Sequence, residues 1–284
     1  MPGAESATKK PTHNGPLVRQ KKDKRTKAND KDMSKLSPSL KALINAPFAR
    51  PGQAPAPRQI RDIYARIARE ARERRYGERP WIALSAAATF TLNSPASLLI
   101  LHDVATTNPP PDTTPLSPLA AAELIREIGL KCISFNGIPR TINCLGAFKA
   151  GLSPSITSQL STTPTRTVTP SNAVAVAARG RNLWHSVYTP FDAKLETKLA
   201  DSHPDLPVHI LSSHYGPLLS DPEPGRALGR VGRALTSVVA IACLRAQTGV
   251  GPQVLSHVFG LRKAVEQGVH GLGEEFGGGG DGRY

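Results

Sequence analysis

Three cysteines and eight histidines are the groups in this 284-residue chain whose chemistry could extend beyond packing. Cys132, Cys144 and Cys243 all sit in apolar helical patterns, where a thiol keeps its proton and packs as a small hydrophobe. Their number and spacing build no disulfide framework, so buried thiols in a reducing compartment are expected. Lys131, directly before Cys132, is the neighbouring cation that would lower a thiol pKa. His209, Ser213 and His214 bring polar groups to an otherwise apolar helical stretch. Positions five apart on an α-helix lie on different faces, so these histidines are not expected to meet as ligands, and neither a metal nor a cofactor is expected. His102 and Asp103 are adjacent but show no partner in the sequence. Arginines interleave with aromatics between Arg179 and Tyr188, and Trp184, Tyr188 and Phe191 follow near-helical spacing, which points to core or subunit packing. Arg140, just after Pro139, could hold an anion together with the free N–H groups of a helix's first turn.

The elements that must position these groups are all helical. Phe135-Asn136-Gly137-Ile138-Pro139 reads as a tight corner between two apolar helices, because Gly137 can take the left-handed conformation that ends a helix and Pro139 suits the first turn of the next. Ser37-Pro38 and Ser117-Pro118 each open a helix, and the second runs to about residue 136. Residues 81–101 carry no charge and are long enough to span a bilayer, but Asn93-Ser94-Pro95 divides them into two buried helices. Further helices are expected at about 60–74, 137–151, 174–188, 190–200, 207–219, 224–247 and 252–267, with Pro/Thr- and Ser/Thr-rich loops at 107–116 and 152–172. No alternating strand pattern interrupts them. The expected organisation is a disordered basic tail at 1–35, a short helix and Pro-rich linker at 36–56, an all-α body at 57–268 and a flexible Gly-rich tail at 269–284.

The net charge of +14 suggests a nucleic-acid binder until it is divided along the chain. Residues 1–80 account for +12 of it, and the body beyond them is close to neutral. Residues 21–27 could serve as a nuclear address or a phosphate-binding arm. Within the first long helix, Asp62 with Arg66 and Glu70 with Arg74 are expected to pair across one turn. The amino terminus lacks the apolar core of a secretory signal, and Glu5, Asp23, Asp30 and Asp32 are poorly suited to a mitochondrial presequence. An intracellular location is expected.

Two segments give a family resemblance. Residues 127–145 resemble the helix, aromatic-x-Gly-x-Pro turn and following apolar helix of the alkyl hydroperoxidase D-like (AhpD-like) and carboxymuconolactone decarboxylase-like superfamily. Residues 235–245 and 252–262 resemble that superfamily's apolar helix, short turn and His-bearing helix, with the histidine at His257. The resemblance is to a divergent fungal branch of it. It implies an AhpD-like helical bundle assembled as a homo-oligomer, in mitochondria or peroxisomes, although a cytoplasmic or nuclear location stays open. The family's peroxidases place a Cys-x-x-Cys pair ahead of the histidine and an acid on the preceding helix. Here the sulfur positions hold Val250 and Gln253, and the acid position falls among Ser237, Val238 and Val239, so the resemblance does not carry over thiol peroxidase chemistry. A decarboxylase-like site needs cations for substrate carboxylates and a proton donor, and Arg140 and His257 are the candidates to meet in one. Two functions follow: a divergent family member with an atypical small-molecule activity or none, and an oligomeric interaction protein whose basic amino-terminal region binds nucleic acid or acidic partners.

Overall fold

The computed structural model describes residues 36–49, 52–107, 115–222 and 228–268. The expected basic tail, most of the 107–116 loop, residues 224–227 and the Gly-rich tail lie outside the described residues. Residues 228–232 are described and form turn and irregular chain, so the helix expected at 224–247 begins only at Arg233. All regular structure among the described residues is helical. The chain divides into two units between Gly52 and Gln53. In the first, α1 (Pro38–Asn45) begins as expected: the Ser37 hydroxyl accepts from the Leu40 N–H at 3.2 Å and Pro38 stands in the first turn. A 3₁₀ turn (Pro47–Ala49) follows.

The second unit opens with α2 (Ile60–Glu73), α3 (Glu78–Thr91) and α4 (Pro95–Thr106). The uncharged stretch is thus split, as Asn93-Ser94-Pro95 predicts, and no helix among the described residues is long and apolar enough to cross a membrane. Then come α5 (Pro118–Lys131), α6 (Ile133–Asn136), α7 (Ile138–Gly151) and the single turn α8 (Pro154–Thr157). The second half comprises α9 (Ala173–Tyr188), α10 (Asp192–Ser202), α11 (Asp205–His209), a π-helix (Ile210–Leu219), α12 (Arg233–Gln247) and α13 (Gly251–Glu266).

Helix α3 is the centre of the main core because small residues let neighbours approach it from several sides. Ala83, Ala86 and Ala87 are buried beside Trp81, Ile82 and Phe90, and α12 packs along it. Leu98, Leu101, Leu124, Ile125, Ile128, Phe148, Leu235 and Val239 complete this cluster, each burying a side chain for about 1.5–3 kcal/mol. A smaller cluster gathers Trp184, Tyr215 and Leu219 between α9 and the π-helix, and Phe135 packs against both clusters. Gly180 makes this second packing possible: a Cβ there would lie 2.5 Å from the backbone nitrogen of Gly216.

Charge is buried along one stripe of α5. Glu123, Glu127 and Lys131, spaced four apart, are 4%, 7% and 0% exposed. Glu123 accepts from Arg126 at 2.9 Å and from the Ser161 N–H at 2.6 Å, and Glu127 pairs with Arg166. The Lys131 ammonium meets Asp221 at 2.8 Å, the Thr236 hydroxyl at 3.0 Å and the Val231 carbonyl. The stripe therefore fastens the segments after α8 and before α12 onto the bundle.

The surface charge pairs differ from the expected ones. On α2 the pairs are Arg66–Glu70 at 3.9 Å and Arg69–Glu73 at 3.8 Å, while Arg61 reaches Asp103 and Arg72 grips Glu78 with two hydrogen bonds. Burial of Tyr64, Ala68 and Ala71 leaves positions 62, 66 and 70 together on the outer face, where Arg66 serves Glu70 in place of Asp62, and Arg74 stands at the C-cap, beyond the helix proper. His102, also without an expected partner, donates from Nε2 to the Pro118 carbonyl at 2.8 Å.

Residues 207–219 do not form one α-helix. Pro217 has no N–H and its ring clashes with the carbonyl four residues earlier, so the ladder widens and the Ser220 N–H closes onto Tyr215, five residues back, at 3.1 Å.

Candidate functional site

The corner forms as the sequence predicts, with one difference. Gly137 has φ 77° and ψ 168°, a positive-φ extended conformation open essentially to glycine alone, rather than the left-handed helical one. Its N–H still closes α6 onto the Ile133 carbonyl at 3.0 Å, and Pro139 stands in the first turn of α7. Side chains pin the turn: Oδ1 of Asn136 accepts from the Thr91 hydroxyl at 3.0 Å, and the Gln247 side-chain amide donates to the Phe135 backbone carbonyl.

The two segments singled out in the sequence meet here. Helix α13 buries one stripe, His257, Gly260 and Ala264, and the His257 ring stands edge-on to Phe135 of the corner with centroids 5.9 Å apart. On its other side His257 Nε2 lies 3.3 Å from the Tyr188 hydroxyl, which in turn lies 2.9 Å from the Tyr215 hydroxyl. The Trp184 ring lies tilted by 47° at 4.2 Å from the Tyr188 ring and edge-on at 5.0 Å from Tyr215. Tyr188 and Tyr215 carry no signal in the sequence beyond aromatic spacing; their hydroxyls meet only because α9 and the π-helix touch at Gly180. Phe191, expected to pack with them, is 69% exposed, since α9 ends before it and the chain turns away.

Burial sets the protonation of this chain of groups. It lowers the His257 pKa to about 4, with the positive charge of Arg233 adding to the effect. It raises both phenols, Tyr215 well above its ordinary 10.0. At neutral pH the imidazole is therefore neutral and both hydroxyls are protonated. Arg233 is held in place by the hydroxyls of Ser186 and Ser237 and by the Ser186 and Gly260 carbonyls. Two polar atoms in the cluster are buried without a hydrogen-bond partner: Nδ1 of His257 and Nε1 of Trp184.

Arg140 does not join this group. It donates to the Thr91 carbonyl at 2.8 Å, placing its charge at the carboxyl end of α3, where a cation is favoured. No hydrogen bond or ion pair among the described residues connects it with His257. Its partner, the last carbonyl of α3, is one that chain order alone does not reveal.

The three cysteines are free and buried. Cys132 meets Cys243, at Sγ–Sγ 3.5 Å, and Cys144 faces the Asn93 side chain. The expected influence of Lys131 on Cys132 is absent, because the ammonium turns into the network with Asp221. Burial pushes the Cys132 thiol well up and Cys144 to about 11. At Cys243 burial acts in the same sense but is outweighed by hydrogen bonds with Cys132, Thr91 and Asn136.

The expectation that His209 and His214 lie on different faces is overturned. Their ring centroids are 5.3 Å apart, because hydrogen bonds that close five residues back stack residues five apart. No cluster of three or more His, Cys, Asp or Glu side chains able to hold a metal occurs among the described residues. The chain matches no protein-family model, no curated protein and no solved structure.

Proposed function

We propose that this chain is a divergent AhpD/carboxymuconolactone decarboxylase-like protein that lacks the peroxidase thiols and uses Tyr188 and His257 for proton transfer on a small organic molecule. The observation that carries this reading is the buried His257, with Nε2 facing a tyrosine hydroxyl and Nδ1 left without a partner. When Tyr188 donates to Nε2, Tyr215 can donate to Tyr188, and the imidazole proton resides on Nδ1. Nδ1–H of His257 and Nε1–H of Trp184 are then two buried donors in one aromatic cluster, which suits a ligand rich in acceptors, a carbonyl or carboxylate compound. Arg233 binds Ser186 and the Gly260 carbonyl, and its charge adds to the burial that keeps the imidazole neutral. Arg140 has no part in this site.

The test is a thermal-shift and calorimetric screen of small carbonyl and carboxylate compounds against the wild type, His257→Gln and Tyr188→Phe. The reading requires a compound that binds the wild type at least tenfold more tightly than either variant. Equal binding by all three, or none to the wild type, removes it.

Self-association has separate support. Leu255, Val258 and Phe259 form an apolar patch on α13 away from its buried stripe, 55%, 44% and 53% exposed. Sedimentation of Phe259→Glu should give a smaller species than the wild type. The interaction-protein alternative assigns binding of nucleic acid or an acidic partner to the basic amino-terminal region, of which residues 1–35 lie outside the described residues; deletion of residues 1–56 must then abolish that salt-sensitive binding. A mitochondrial or peroxisomal location rests on the family resemblance and is checked by imaging the tagged chain.

A further inference from the structure

The π-helix creates a second constellation, distinct from the His257 site. His209 is its N-cap residue and His214 stands half-buried within it. Each imidazole is held through Nδ1: that of His209 lies 3.1 Å from the Ser213 hydroxyl, and that of His214 lies 3.0 Å from the hydroxyl of Ser134, in α6 at the corner. Among the described residues Nε2 of neither ring has a hydrogen-bond partner. Such a pattern is what a metal-binding histidine needs, one nitrogen fixed by an outer oxygen and the other left to coordinate. Spacing agrees as well. Two imidazoles bound to one tetrahedral ion at about 2.0–2.1 Å place their ring centroids roughly 5 Å apart, and these lie at 5.3 Å.

We propose that His209 and His214 bind a late first-row divalent cation, zinc or copper, through their Nε2 atoms, with the remaining coordination positions filled by water or an external ligand. Imidazole nitrogen selects these ions over magnesium and calcium, which prefer oxygen. Ser213 and Ser134 act as positioning residues by accepting Nδ1–H. Because Ser134 belongs to the corner, the ion would tie the π-helix to α6. The site is exposed at His209, so a cation can enter without opening the fold.

Calorimetric titration of the full chain with zinc chloride, in a buffer free of chelators, tests this together with ¹⁵N spectra of the histidine rings. One zinc equivalent is expected, with the Nε2 resonances of His209 and His214 shifting together. His209→Ala and His214→Ala should each weaken binding at least tenfold, and Ser134→Ala should weaken it about tenfold. His203→Ala, which removes an exposed histidine outside the pair, should leave binding unchanged. His209→Ala alters an exposed side chain, so its effect is not a failure to fold. Absence of stoichiometric binding, undiminished binding in either histidine variant, or equal loss in His203→Ala overturns the proposal.

Discussion

Replacing His257 by phenylalanine should remove an acid sensitivity that the wild type carries. The buried imidazole has a pKa of about 4, against 6.5 in the unfolded chain, through desolvation and then the charge of Arg233. Below pH 6.5 the unfolded imidazole takes up a proton that the folded one refuses until about pH 4. The stabilising contribution is thus fully present above 6.5 and is lost as the pH falls through this window. The complete loss corresponds to about 3 kcal/mol, and roughly 2 kcal/mol of it is gone by pH 5. Urea denaturation followed by circular dichroism at pH 7.5 and pH 5.0 measures it. Other groups that titrate over this range are common to both proteins, so the quantity to compare is the difference in pH dependence between wild type and His257→Phe. A difference near 2 kcal/mol is expected. Equal pH dependence, or an NMR titration of His257 with a midpoint near 6.5, refutes the reasoning, because either result places the imidazole in contact with water.

Further expectations concern packing and the thiols. Lys131→Ala empties a fully buried position, takes the donor from the buried Val231 carbonyl and leaves Asp221 with Arg230 at 3.7 Å as its remaining cation; it should cost about 3 kcal/mol in urea denaturation. Gly180→Ala drives a methyl group into the backbone at Gly216, so α9 and the π-helix must separate; a loss of about 3 kcal/mol and broken Tyr188–Tyr215 contact, seen as altered near-ultraviolet circular dichroism, are expected. Cys132, Cys144 and Cys243 are each 0% exposed, so Ellman's reagent should label none of them in the native protein and all three in guanidinium. Rapid native labelling would restore thiol chemistry as an option.

Helix positions were legible because 3.6-residue apolar spacing, serine caps and first-turn prolines are local signals; Ser37, Ser117, Pro95 and the corner at Gly137 act where the sequence places them. The sequence also determined that Val250 and Gln253 stand where family peroxidases carry thiols, since identity needs no fold. Partnerships were decided elsewhere. Lys131 serves Asp221 rather than Cys132, Cys132 meets Cys243 from 111 residues away, and Arg140 caps α3 instead of joining His257, because the rotation and crossing of each helix follow from burial across the whole bundle. The pairing of His209 with His214, only five residues apart, escapes an α-helical count because the chain there follows the wider π ladder that ends over Pro217. The sequence by itself thus determined the elements and the available functional groups, and tertiary packing alone decided which groups face one another, since side-chain direction depends on neighbours far away in the chain.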